Sequence, residues 1–211
     1  MNRTFFFHQW LGRAARAVLL LALLSAARPS AAVETGFINK TVEAGGQSMP
    51  YVVYVPRDYS ARRRWPVILF LHGSGERGDN GLAQTQVGIG TALRLHPERF
   101  PCLVVMPQAP NNGNWRGASN DLALKALDAV VDKYHGDRGR LYLTGLSMGG
   151  FGAWEIAAAH PDMFAALMPI CGGGNPAQMA PALKSLPIWV FHGGADPVVP
   201  PQRAREMVDA I

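Results

Sequence analysis

From Tyr51 onward, short apolar runs alternate with longer amphipathic stretches. The runs Tyr51–Val55, Pro66–Leu71, Cys102–Met106, Leu141–Thr144, Ala165–Ile170 and Ile188–Phe191 predict strands. Several are continuous blocks of Val, Ile, Leu and Phe, the pattern of strands buried on both faces of a parallel sheet. Between them, Asn120–Tyr134 gathers Leu124, Leu127, Val131 and Tyr134 on one side and keeps Lys125, Asp128 and Asp132 off it. That spacing predicts an amphipathic helix, with Ser119 or Asn120 as its N-cap. A second helix is expected over Met148–His160, ended by Pro161, and a third begins at Gln202. Pro107–Gly117 reads as a loop by composition. Strands alternating with helices imply a three-layer α/β fold with a mostly parallel sheet, whose ligands bind beyond the carboxyl ends of the strands.

The first residues do not fit this pattern. Arg3, Arg13 and Arg16 precede a short apolar run, Ala17–Ala27, and Ser30-Ala31-Ala32 offers small residues for cleavage. This is the layout of a secretory signal peptide over residues 1–32, ahead of one domain over 33–211. The rival, an uncleaved membrane anchor, would need a longer run. The expectation is an exported protein, periplasmic or secreted, with no stable membrane insertion after cleavage. Removing the leader takes four Arg and no acidic residue, so the net charge falls from +5 to +1. No basic stripe then remains to suggest a nucleic-acid partner. Cys102 and Cys171 fall on strands that this fold separates, so no disulfide between them is expected.

The chemistry concentrates after strands. Gly145-Leu146-Ser147-Met148-Gly149-Gly150 lies between a predicted strand and a predicted helix. Such a turn holds a serine on a strained backbone and presents its hydroxyl, while Gly145 and Gly149 remove side chains that would collide. The plainer alternative is that Ser147 only caps the helix. After the strand Pro66–Leu71 comes His72-Gly73-Ser74-Gly75-Glu76-Arg77-Gly78. Backbone amides of Ser74 and Met148 are the candidate pair for an oxyanion hole. A phosphate-binding loop is the weaker reading, because G-x-x-x-x-G-K-[ST] is absent. Asp196, in the loop after Ile188–Phe191, is the candidate acid by chain order, Ser before acid before His. An Asp-Pro turn is its structural alternative.

The segments HGSGERGDN (72–80), MPQAP (106–110), LYLTGLSMGGFGAWEIA (141–157), FAALMPICGGG (164–174) and WVFHGGADPVVP (189–200) resemble the phospholipase/carboxylesterase-like group of α/β-hydrolases, in particular its predicted peptidases and related esterases. The resemblance covers residues 36–211. It implies ester hydrolysis through an acyl-enzyme with no cofactor or metal, Ser147 as nucleophile and Asp196 as acid. It also implies Trp115 near the acyl or leaving-group site, and Glu76 and Arg77 as a structural pair beside the oxyanion loop, with contact between Arg77 and an anionic substrate as the lesser reading.

One departure stands out. Members of that group carry the catalytic histidine in a loop after one more strand, and the sequence reaches Ile211 first. His72 and His192 each close a strand and are better read as local hydrogen-bonding residues; His8, His96, His135 and His160 are placed worse. The expectation is therefore a hydrolase fold lacking its last strand and helix, impaired in activity, with Ile188–Phe191 as an exposed apolar edge. The functional expectation is a serine carboxylesterase acting on a small ester. The alternatives are a peptidase taking short peptides or a non-catalytic binder of acyl compounds. Substrate identity and oligomeric state are not legible.

Overall fold

The computed structural model describes residues 33–211; the expected leader over 1–32 lies outside them. Six strands form one sheet, β1 (Gly36–Ala44), β2 (Gln47–Val55), β3 (Trp65–Leu71), β4 (Leu103–Pro107), β5 (Gly136–Leu146) and β6 (Ala166–Ile170). Their spatial order is β1-β2-β4-β3-β5-β6. β1 and β2 are antiparallel to their neighbours, whereas β4, β3, β5 and β6 run parallel. The helices are α1 (Ile89–Leu95), α2 (Ala118–Lys133), α3 (Met148–Ala159), α4 (Pro176–Leu183) and α5 (Gln202–Asp209). Among the described residues no helix is long and apolar enough to cross a membrane.

The apolar runs of β2, β3 and β4 are buried almost throughout, as expected for central strands, whereas β6 leaves Met168 exposed. On one face Val67, Leu69, Leu71, Leu103 and Val105 pack against Leu122, Leu127, Val130, Trp154 and Ile156 of α2 and α3. On the other, Phe70, Val104 and Met106 meet Leu93 of α1. This third layer is thin, and beside it an apolar groove of about 560 Å³ runs over Ile68, Tyr142, Thr144, Met168 and Trp189.

Three expectations need correction. β1 was not foreseen; it joins β2 through Gly45-Gly46, both at positive φ, as a two-residue hairpin turn requires. α2 starts earlier than expected, and Gly117 rather than Ser119 or Asn120 stands at its N-cap. The segment Ile188–Phe191 does lie along β6, but as two isolated parallel bridges, Leu167 with Ile188 and Ile170 with Phe191. Rungs run from Leu167 N–H to Pro187 O, Trp189 N–H to Leu167 O, Phe191 N–H to Pro169 O and Cys171 N–H to Phe191 O. Pro169 has no N–H to give the intervening rung, and the ladder breaks there. The outer side of this segment is apolar and open, with Trp189 70% and Phe191 40% exposed.

Cys102 and Cys171 are both free thiols. Cys102 precedes β4 and Cys171 follows β6, at opposite ends of strands that β3 and β5 separate.

Candidate active site

The bend between β5 and α3 puts Ser147 at φ 54° and ψ −117°, a conformation a non-glycine residue holds only under constraint. Its side chain makes no capping hydrogen bond to α3, so helix capping does not account for it. The residue is partly exposed at the carboxyl end of the sheet. The two glycines are steric necessities. A Cβ on Gly149 would lie 1.9 Å from Leu71 O and 2.7 Å from His72 O, and one on Gly145 would lie 2.2 Å from Gly149 O. The elbow is thus pressed directly against the end of β3.

That contact brings the loop after β3 to the serine. A Cβ on Gly73 would stand 3.7 Å from Ser147 Cβ. Ser74 opens a short 3-10 turn (Ser74–Glu76) and Met148 opens α3. The first N–H groups of helical turns have no partner within the turn, so both amides are available as donors. The dipole of α3 adds a preference for negative charge at the same point.

His72 anchors this loop from beneath. It is fully buried, and its Nε2 accepts the Ala109 N–H at 2.9 Å. The proton therefore sits on Nδ1, which donates to Gly73 O at 2.6 Å. Trp115 packs edge-on to the imidazole and donates its indole N–H to His72 O at 2.9 Å. Burial drives the imidazole down to about 4, against the opposing hydrogen bond to Gly73 and with a smaller push from the Arg77 charge. A ring with both nitrogens engaged, neutral at physiological pH, is scaffold and not a base.

Gln108 completes the support. Its side chain is fully buried; Oε1 accepts the Gly81 N–H at 2.8 Å, and Nε2 donates to Glu76 O at 3.0 Å and Asn80 Oδ1 at 3.1 Å. Sequence reasoning read Pro107–Gly117 only as a loop and missed this clamp.

Asp196 caps its own turn. Oδ1 accepts the N–H groups of Val198 at 2.9 Å and Val199 at 3.0 Å, leaving Oδ2 3.6 Å from His192 Nε2. The Val199 and Val198 amides, with a smaller contribution from His192, hold this carboxyl below its ordinary range. Cys171, half-buried, follows Ile170, whose carbonyl accepts from the elbow. Burial chiefly, and the Asp196 charge to a lesser degree, raise its thiol, while the Ser147 N–H opposes them. The same Ser147 N–H donates to Ile170 O at 2.9 Å.

The described histidines do not supply an imidazole between Asp196 and Ser147. His192 Nε2 is committed to Val199 O at 2.8 Å, and its Nδ1 is buried without a partner. His160 closes the far end of α3, His135 precedes β5, and His96 follows α1.

Trp115 is buried, and with Asn114, Arg116, Met148, Phe151 and Gly152 it lines a cavity of about 290 Å³ beside the elbow. Its role in the fold is that of a floor to this cavity. The expected pairing of Glu76 with Arg77 does not form: among the described residues no carboxylate lies within 4.0 Å of the Arg77 guanidinium. Glu76 instead turns over Gly73, where its Oε2 would be 3.1 Å from a Cβ. Among the described residues no cluster of side chains is suited to a metal ion.

The sequence and the fold are similar to those of known proteins. A family described as "Putative esterase" matches residues 43–196. The chain belongs to this esterase family. A structure described as a thermostable esterase superposes with a TM-score of 0.77 at 36% identity, over 82% of this chain and 51% of that one. Acetylxylan esterase A of Emericella nidulans is 27% identical over 135 residues, 58% of this chain and 41% of that protein. Poly(3-hydroxyalkanoate) depolymerase C of Paucimonas lemoignei is 25% identical over 185 residues, 68% of this chain and 44% of that protein. The chain spans about two fifths of the length of these curated relatives.

Proposed function

We propose that this esterase-family chain carries the nucleophile, oxyanion hole and acid of a serine carboxylesterase. The observation that carries the reading is the backbone of Ser147, held at φ 54° with no cap to explain it, against the loop that bears Ser74. Ser147 Oγ attacks the carbonyl carbon of an ester and forms a tetrahedral intermediate. The N–H groups of Ser74 and Met148 donate to its oxyanion, a contribution of about 3 kcal/mol to the barrier for each well-placed donor. Collapse expels the alcohol and leaves an acyl group on Ser147, which water then removes. Both steps need a base, and Asp196, with its Oδ2 not taken up by the turn, is the carboxylate that orients an imidazole for this role. The family resemblance and the names of the relatives support a small ester, free or on a larger scaffold, as substrate. The expected leader supports an exported, periplasmic or secreted, enzyme.

A peptidase is the second reading, because the GERGDN (75–80) and GLSMGG (145–150) blocks resemble those of the predicted-peptidase subgroup. Hydrolysis of p-nitrophenyl acetate and of aminoacyl anilides by the protein and by Ser147→Ala, with free imidazole supplied as base and its own background subtracted, decides the matter. The esterase reading expects ester turnover that is lost by Ser147→Ala, with anilides untouched. Ester turnover that survives Ser147→Ala overturns the assignment.

A further inference from the structure

Arg77 is the anomaly of the site. It closes the 3-10 turn that presents Ser74, and its Nη2 lies 3.0 Å from Met148 Sδ, on the very residue whose amide is the second oxyanion donor. A thioether is a weak acceptor and a poor partner for a full charge. Nε is buried and, among the described residues, meets no acceptor at all. The carboxylate next to it in sequence, Glu76, is turned away over Gly73. Arg116, which lines the cavity beside Met148, is paired instead, with Glu155 at 3.2 Å. A guanidinium left partly desolvated and, among the described residues, without a counter-charge is unfavourable unless something anionic arrives.

We propose that Arg77 is a specificity-determining residue that receives the carboxylate of an anionic ester, such as the half-ester of a dicarboxylic acid. This rests on the esterase reading and narrows its substrate class. The reacting carbonyl would sit at the Met148 N–H, and the guanidinium lies at the tip of the same side chain. A carboxylate two or three methylenes from the ester carbon spans that gap. Guanidinium and carboxylate pair through two parallel hydrogen bonds, which satisfies Nε together with one Nη.

The test measures equilibrium binding to the Ser147→Ala protein, which needs no turnover. Monoethyl succinate and monoethyl glutarate are compared with ethyl butyrate and ethyl valerate by calorimetry or ligand-observed NMR. The expected result is that at least one half-ester binds about tenfold or more tighter than its neutral counterpart. Adding Arg77→Met should abolish that preference without weakening the neutral ester, and Arg77→Lys should keep part of it. If Arg77→Met fails to fold by circular dichroism, Arg77→Gln replaces it. Equal binding of half-ester and neutral ester, or a preference that survives loss of the guanidinium, overturns the proposal. Failure of the esterase reading itself would appear elsewhere, as p-nitrophenyl acetate turnover indifferent to Ser147.

Discussion

Acidification should weaken the fold through one residue, His72, before the carboxylates come into play. The ring is buried and neutral, with Nε2 accepting from Ala109 and Nδ1 donating to Gly73. A proton on Nε2 would face the Ala109 N–H, so protonation must break that contact or open the loop. The imidazole is held down to about 4 by burial, against 6.5 when unfolded. A folded-state value below the unfolded one means stability is fully present above pH 6.5 and is lost as pH falls toward 4, because only the unfolded chain binds the proton in that window. At about 1.4 kcal/mol per pH unit this gap is worth ~3 kcal/mol. Urea unfolding of the protein and of His72→Gln, followed by tryptophan fluorescence from pH 7.5 to 4, measures it. Asp137 and Asp196, both held below the ordinary carboxylate range by hydrogen bonds, lose their contributions at lower pH and do so in both proteins. The free energy of the parent should therefore fall by ~3 kcal/mol more than that of the variant. Parallel curves would refute the reasoning and show that His72 is solvated or protonated in the fold.

Other outcomes follow from the same contacts. Gly149→Ala would drive a methyl into the carbonyls of Leu71 and His72, backbone atoms that cannot rotate away. A loss of more than about 3 kcal/mol in thermal or urea unfolding is expected, with ester hydrolysis down by about a hundredfold. Gln108→Ala removes three hydrogen bonds from the loop over Glu76–Gly81 and should cost about 2–3 kcal/mol in the same assay. Its effect on ester hydrolysis should appear in kcat more than in KM, since the loop carries Ser74, the proposed oxyanion donor. Titration with a thiol reagent should find two free thiols on denaturation, with Cys102 silent in the folded protein, where burial pushes its thiol up to about 12.

Much of this architecture is legible in the sequence because burial on both faces leaves long apolar signatures, as in Pro66–Leu71 and Cys102–Met106. The elbow is legible because its glycines are demanded by close backbone approach, a constraint that one sequence displays directly. What escapes has physical reasons. β1 is a half-exposed edge strand whose pattern is blurred by Asn39, Lys40 and Thr41, although Gly45-Gly46 is a hairpin signal that could have revealed it. The first half of β5, Gly136–Arg140, is polar because it lies largely exposed, with Arg138 pairing to Asp128 and Asp132 of α2. α4 carries two prolines, which composition assigns to loops. Gln108 sits in a proline-flanked segment, and nothing local marks its amide as the clamp of a loop some thirty residues earlier. The turn of Glu76 away from Arg77 is likewise a matter of rotamer and not of order along the chain.

The central claim is that the hydroxyl of Ser147 is a nucleophile facing two amide donors. Incubation with a fluorophosphonate, followed by peptide mass mapping, tests it most directly, with free imidazole added to serve as base. A single adduct on Ser147, missing from Ser147→Ala and diminished by Gly149→Ala, is the predicted result. An unlabelled Ser147 in folded protein, or an adduct placed on a different serine, would contradict it.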